Sequence, residues 1–191
     1  MGIASQSTIH TTLPDEISSV SFGISPSPLG KILIARSPLG IAHLSFIEGS
    51  ESARIRSLRA ELPKARLTRN DMLAEKLVHR VFQTAPEVDL HLWGTDFQLK
   101  TWKALLDIPF GRTSTYGQIA RNLHVPGSAR AVGNAIGRNR IAYLIPCHRI
   151  TRQNGSLGGY RWGDRCKIKL LEWEKRFHTG SNPLANPVSE L

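Results

Sequence analysis

Apolar residues recur at strand spacing early in the chain and at helical spacing later. "VSFGIS", "KILIAR" and "IAHLSF" are short runs rich in β-branched or aromatic residues. "SPLG" stands between them twice, at Ser27–Gly30 and Ser37–Gly40, with the proline second and the glycine fourth, as a type I turn prefers. The spacing predicts a three-stranded meander over about 20–25, 31–36 and 41–47. The period then lengthens, predicting helices over about 50–61 and 71–84, the second with Leu73, Leu77 and Val81 on one face. "TAPEVDLHLWG" follows neither period and reads as a linker into the second half.

That second half is mainly helical. Thr95 and Gln98 form a capping box, a threonine N-cap with glutamine three residues later, which opens a helix to about Asp107, where Ile108-Pro109 ends it. Another helix is expected over about Thr115–Leu123. "HVPG" then turns the chain, and Ser128 is expected to cap a third helix to about Asn139. Two helices around a short Gly-containing turn suggest a helix-turn-helix. "TRQNGSLGGY" reads as a Gly-rich loop or hairpin, and a last helix over about Asp164–Phe177 carries Ile168, Leu171 and Lys175 at helical spacing. The fold expectation is α+β. Residues 1–18 form a flexible segment, 19–90 a small α/β domain, 91–177 a mainly helical domain and 178–191 a flexible tail.

Charge changes the picture once it is mapped. The 191 residues carry 25 Lys and Arg against 15 Asp and Glu, a formal net of +10. Residues 92–177 hold 15 of those bases and 5 of the acids, so the whole excess lies there. A solubilising surface is the alternative; a face for polyanions fits better, because clustered cations release counterions from nucleic acid phosphates. The helix beginning at Ser128 is unusual for a base reader. "SARAVGNAIGRN" offers Ala129, Ala131, Gly133, Ala135 and Gly137, with Arg130 as one long charged arm. Small side chains suit close, sequence-indifferent contact with a groove, or a tight helix–helix contact in the core. No apolar run reaches the roughly 18 residues of a membrane span, and the polar N-terminus lacks the pattern of a secretory signal. Two cysteines supply neither a disulfide framework nor a Cys-rich zinc site, so a reducing cytoplasm is expected and no metal.

The chemistry to explain is "IPCHRI", Ile145 to Ile150. A free thiol, with a pKa of about 8.5, is mostly protonated at neutral pH and needs a base or a cation to become a nucleophile. His148 adjoins Cys147, but neighbours on a strand point to opposite faces, so contact through a water is as consistent as direct contact. Cys166, mid-helix without an acid–base partner at useful spacing, reads as a buried structural cysteine.

"GTDFQLKTWKALLDIPFGRTSTYGQIA", "ARAVGNAIGRN", "IPCHRI" and "GSLGGYRWG" occur in that order, and together they closely resemble the O6-alkylguanine-DNA alkyltransferase family. The resemblance is dense over about 94–175 and looser over about 20–90. The "YRWG" loop is most similar to the C-terminal domain of the bacterial adaptive-response methyltransferase. It implies a ribonuclease-H-like N-terminal domain, a helix-turn-helix domain carrying the active cysteine, and suicidal repair without a cofactor. The alkyl group would pass from O6-alkylguanine, and from O4-methylthymine as a further substrate, in duplex DNA to the protein. By position, the resemblance implies Cys147 as acceptor, His148 as water-linked base and Glu174 as the residue orienting the imidazole. Tyr116 would donate to the guanine ring, and Asn139 would brace the turn into the active-site strand. Arg130 would fill the stack left by a flipped nucleotide, with Ser128, Ala129, Ala131, Gly133 and Tyr116 also against DNA. Tyr160, Arg161, Trp162 and Ile150 would line the substrate pocket. Many family members place a serine after the loop tyrosine; this chain has Arg161, which leaves a backbone N–H as the alternative donor to the leaving oxygen. The resemblance also implies a monomer without membrane attachment, cytoplasmic and nucleoid-associated when bound to DNA. A non-enzymatic lesion-recognition protein and a helix-turn-helix regulator are the rival classes.

Overall fold

The computed structural model describes residues 8–82 and 88–177. The meander forms as expected: β2 (Ser19–Ser25), β3 (Ile32–Ser37) and β4 (Gly40–Phe46) pair antiparallel in sequence order. The second "SPLG" closes the β3–β4 hairpin, with Ser37 opposite Gly40 and the Ser37 hydroxyl accepting the Leu39 N–H at 3.1 Å.

Three more strands widen the sheet in ways the pattern did not announce. β1 (Ile9–Thr11), β5 (Arg66–Arg69) and β6 (Leu90–Leu92) complete the order β1-β6-β4-β3-β2-β5, with β1–β6, β6–β4 and β2–β5 parallel. Two expectations are thereby corrected. The segment expected to be flexible over 1–18 is ordered from Thr8 onward, because β1 docks on β6. The linker reading of 84–94 fails at its C-terminal end, where Leu90–Leu92 is a fully buried strand straddling the 90/91 boundary. Three-residue strands are too short to display a period. Residues 1–7, 83–87 and the tail 178–191 lie outside the described residues.

α1 (Glu51–Glu61, capped by Ser50) covers one face of the sheet through Leu58, meeting Leu33, Ala35, Ala42 and Trp93. α2 (Asp71–Val81, capped by Asn70) covers the other, joining Ile32, Ile34 and Leu44. Its buried stripe is Ala74, Val78 and Val81, one step round from the Leu73–Leu77 line expected. β2 approaches α2 so closely at Gly23 that a Cβ there would lie 2.5 Å from the Asn70 carbonyl oxygen. The second half packs on that same face: α3 (Asp96–Leu106), α4 (Tyr116–Asn122), α5 (Ala129–Gly137) and α6 (Asp164–Phe177) share one apolar core with the sheet. The capping box forms, with Gln98 N–H donating to Thr95 Oγ1 at 3.3 Å and Thr95 N–H to Gln98 Oε1 at 3.1 Å. Ser128 takes the N-cap position of α5 but makes no side-chain cap bond. α6 buries Cys166, Lys167, Leu170, Trp173 and Glu174, while Ile168 is exposed, so its apolar line was misread. Among the described residues no helix is long and apolar enough to cross a membrane.

The sheet also anchors the chain just beyond α5. β6 pairs with β4 only at Ile41, leaving Leu44 free on the same edge. Residues 140–142 take that place: Leu44 N–H donates to the Arg140 carbonyl at 3.0 Å, and Ala142 N–H donates to the Leu44 carbonyl at 2.8 Å.

The tight approach at Gly23 gives a test of this packing. Gly23→Ala should lower the unfolding free energy by about 1–3 kcal/mol, the scale of overpacking. Gly137→Ala, on α5 with open space around it, should leave stability unchanged or raise it. Urea unfolding of both variants measures the difference.

Candidate active site

Cys147 lies five residues beyond the segment held on the sheet edge. Its backbone forms a 3-10 turn, Cys147–Arg149, instead of the expected strand, so the side chains of 147 and 148 do not alternate across a sheet. The approach to the turn is strained: Tyr143, a buried non-glycine residue, has φ of 64°. Its ring is held by stacking on Phe82, with centroids 4.7 Å apart, and lies near-parallel to the His148 ring.

Asn139 organises the loop between α5 and this turn. Its Oδ1 accepts the Ile141 N–H at 2.9 Å, and its Nδ2 reaches the Ile141 and Ile145 carbonyls at 3.2 Å each. The same Nδ2 lies 3.1 Å from Cys147 Sγ. Asn139 thus bonds both sides of the loop and touches the sulfur. Burial pushes the Cys147 thiol up to about 11, with the Asn139 contact and the nearby Lys167 and Arg161 charges working against that rise.

His148 is fully buried, and its Nε2 lies 2.7 Å from Glu174 Oε1. Its Nδ1 is buried and has no hydrogen-bond partner among the described residues. Burial lowers the imidazole pKa against the pull of Glu174, which favours the neutral ring a base requires. Glu174, on α6, gathers more than the histidine. Arg149 donates to both its oxygens at 2.8–3.0 Å, and the Gly111 N–H donates to Oε2 at 3.0 Å. Burial alone would raise this carboxyl, but His148 and Arg149 hold it at about 2. Arg149 was missed by sequence reasoning. So was Lys167, fully buried, whose ammonium donates to the Ile150 carbonyl at 2.5 Å and to the Leu157 carbonyl. Arg149 sits in "IPCHRI" and Lys167 in the last helix, and the partners that bury each charge come from distant parts of the chain.

Tyr116 opens α4. β7 (Ser114–Thr115) runs parallel to β8 (Ile150–Thr151), which brings the start of that helix beside the cysteine turn. Its ring packs by Gly133 of α5, where a Cβ would stand 3.5 Å away. Its hydroxyl lies by Gly158, where φ is +67° and a Cβ would stand 3.0 Å away. Burial raises its pKa, the Arg152 charge opposing the rise and Cys147 adding to it. Arg130 and Ala131 are exposed on α5, with Ser128, Ala129 and Gly133 half-buried. Ala135 is buried and offers its carbonyl to Trp102 Nε1 at 2.9 Å. The small residues thus divide between an open face and a tight core contact.

The expected pocket wall is redrawn. Of its four residues, Tyr160 stands edge-on to His148, with centroids 6.4 Å apart. Ile150 is fully buried in the core. Trp162 is 3% exposed, packed on Tyr160 with centroids 5.1 Å apart, and so belongs to the core instead of an open lid. Arg161 turns its guanidinium to Glu61 and to the Asn139 carbonyl. Cys166 is buried, as expected, and among the described residues no cluster of three or more His, Cys, Asp or Glu is arranged to hold a metal.

Residues 96–176 match the family described as 6-O-methylguanine DNA methyltransferase, DNA binding domain. A methylated-DNA–protein-cysteine methyltransferase of Mycobacterium bovis is 54% identical over 89 residues, 47% of this chain and 54% of that protein. The regulatory protein ada of Salmonella typhimurium is 37% identical over 163 residues, 82% of this chain. The match thus spans about half the length of each of these relatives, 54% and 46%. The crystal structure of Mycobacterium tuberculosis OGT in complex with DNA superposes with a TM-score of 0.66 at 35% identity, covering 82% of this chain and 93% of that one. A methylated-DNA–protein-cysteine methyltransferase of Methanosarcina acetivorans is 37% identical across 80% of this chain and 97% of its own length. Covering that relative almost end to end, the chain belongs to the methylated-DNA–protein-cysteine methyltransferase family.

Proposed function

We propose that this protein repairs DNA by moving an alkyl group, methyl above all, from O6-alkylguanine in duplex DNA onto Cys147. O4-methylthymine is a further substrate of the same chemistry. The observation that carries the reading is the buried thiol held at 3.1 Å by Asn139 and followed in the same turn by a histidine paired with a carboxylate. The thiol proton passes to His148 through a water, and Glu174 steadies the imidazolium so formed. Sulfur then attacks the alkyl carbon in line, the carbon–O6 bond breaks, and its electron pair enters the guanine. Tyr116 donates a hydrogen bond to the ring as that charge develops. A thioether has no easy leaving route, so each molecule reacts once as a transferase without a cofactor.

A stacked base cannot bring O6 to a buried sulfur, so the nucleotide is flipped out, with Arg130 filling the gap. Support comes from the exposure of Arg130 on α5, beside an open face of small residues. We read α4, the His124–Gly127 turn with φ of 57° and 85°, and α5 as a helix-turn-helix. The mixed sheet with its helices is read as the ribonuclease-H-like part, and residues 91–177 as the DNA-binding alkyltransferase part. The protein acts as a cytoplasmic monomer on the nucleoid.

Cys147→Ser should abolish methyl uptake from O6-methylguanine DNA while duplex binding survives. Intact mass and peptide mapping read the transfer; methyl on Cys166, or binding by the wild type without uptake, would overturn the reading. Arg130→Ala should slow repair of duplex DNA at least about tenfold, since unstacking costs a few kcal/mol, and affect reaction with the free modified base much less. Rate measurements on both substrates separate extrusion from general damage.

Glu174 is charged because of its folded partners, so its contribution to stability is complete above the ordinary carboxyl pKa of 4.5 and is lost as pH falls toward about 2. Glu174→Gln should cost about 3–5 kcal/mol at neutral pH by stranding Arg149. The gap to wild type should narrow in acid, as urea titrations at pH values between about 5 and 2 would record.

A further inference from the structure

Glu61 is the last residue of α1, where the helix dipole and unpaired carbonyls disfavour a carboxylate. Helix stability therefore does not account for it. Three basic groups from three other parts of the fold converge on its two oxygens. Arg161 Nη2 lies 2.5 Å from Oε1, His43 Nδ1 3.1 Å from Oε2, and Arg140 Nε 3.7 Å from Oε2. The carboxylate side chain is 13% exposed and those of Arg140 and Arg161 are 23% and 29%, so these charges are only partly screened by solvent. His43 is fixed in turn by Ser45, and Arg140 by the Trp93 carbonyl and ring.

Arg161 is the link to the cysteine. Its Nη1 donates to the Asn139 carbonyl at 3.0 Å while its Nη2 is held by Glu61. Asn139 in turn lies against Cys147 Sγ through Nδ2. One guanidinium thus spans a carboxylate on the far side of the sheet region and the backbone of the residue that touches sulfur. Remove Glu61, and Arg140 and Arg161 are left as like charges facing each other, which drives the more exposed one, Arg161, off the Asn139 carbonyl. Arg161 is also among the cations that oppose the rise of the Cys147 thiol pKa.

We infer that Glu61 and Arg161 are positioning residues for the acceptor cysteine: Glu61 fixes Arg161, Arg161 fixes the Asn139 backbone, and Asn139 sets the sulfur. The inference rests on the reading of Cys147 as the alkyl acceptor. It also gives Arg161 a task in place of the leaving-oxygen contact, one that ties the N-terminal sheet and α1 to the chemistry.

The test uses the full chain with Glu61→Ala, Glu61→Gln, Arg161→Ala and the double variant Glu61→Ala/Arg161→Ala. Three quantities are followed: single-turnover methyl transfer from O6-methylguanine DNA, the pH midpoint for modification of Cys147 by iodoacetamide, and melting temperature. Glu61→Ala should slow transfer about tenfold, the scale of one lost charge-assisted hydrogen bond, and move the iodoacetamide midpoint upward. The double variant should be no slower than Arg161→Ala, because Glu61 acts through Arg161. Glu61→Gln keeps the side-chain size and one acceptor, and should shift both quantities the same way by less, which covers a Glu61→Ala that does not fold. An unmoved midpoint in folded variants, or additive losses in the double, overturns the inference while wild-type transfer leaves the repair reading standing. A wild type that takes up no methyl, with midpoints that still shift, overturns the repair reading and keeps the positioning of the thiol.

Discussion

Glu174 carries a charge that cannot be left alone: its carboxylate is fully buried, where an unpaired ion costs several kcal/mol, and it is stable there because Arg149 meets it with a fork of N–H groups. The remaining contacts depend on that pair. The Gly111 N–H pins the loop after α3, and His148 presents Nε2, which fixes where the imidazole can lie. Arg149 continues to the Ile108 carbonyl at 2.5 Å, so the end of α3, the cysteine turn and α6 are tied through one ionic centre. Glu174 thus both ties these elements together and fixes the imidazole of His148.

The sheet contributes the other half of the constraint. β4 spends one stretch of its edge on β6 and the next on residues 140–142, so the chain enters the site from a rigid element. Asn139 stands at that junction, bonding both sides of the loop and the sulfur. Phe82, at the end of α2, stacks on Tyr143 and holds its unfavourable backbone angle. N-terminal and C-terminal halves therefore pack together around the thiol, with the larger of two apolar clusters running through both.

Polar pins recur where apolar residues would have filled space more cheaply. Lys167 joins the Ile150 and Leu157 carbonyls, closing the Gly-rich loop onto the strand after the cysteine. Arg161 closes the same loop's far end onto Asn139 and Glu61. Gly158, at positive φ, lets that loop pass within contact of the Tyr116 hydroxyl. Lys167 and Arg161 each place a cation within influence of Cys147, and these charges oppose the cost of forming a thiolate away from water.

Local pattern by itself determined the meander, the two "SPLG" turns, the capping box at Thr95 and the helices of both halves, because each depends on neighbours a few residues apart. The order of four motifs pointed by resemblance to Cys147, His148, Glu174, Tyr116 and Asn139; the fold sets Asn139 against Cys147 and Glu174 against His148, and brings the start of α4 beside the cysteine turn. The short strands β1 and β6 escaped, since pairing with a partner about eighty residues away decides them. The buried stripe of α6 was misread because its charged residues Lys167 and Glu174 face inward to meet partners distant in sequence. Arg149, Lys167 and the Glu61–Arg161 bridge, together with the hold of Arg161 on the Asn139 carbonyl, belong to tertiary structure alone. A buried charge is tolerable only where its counter-charge or carbonyl arrives from elsewhere in the fold, and no local pattern records that arrival.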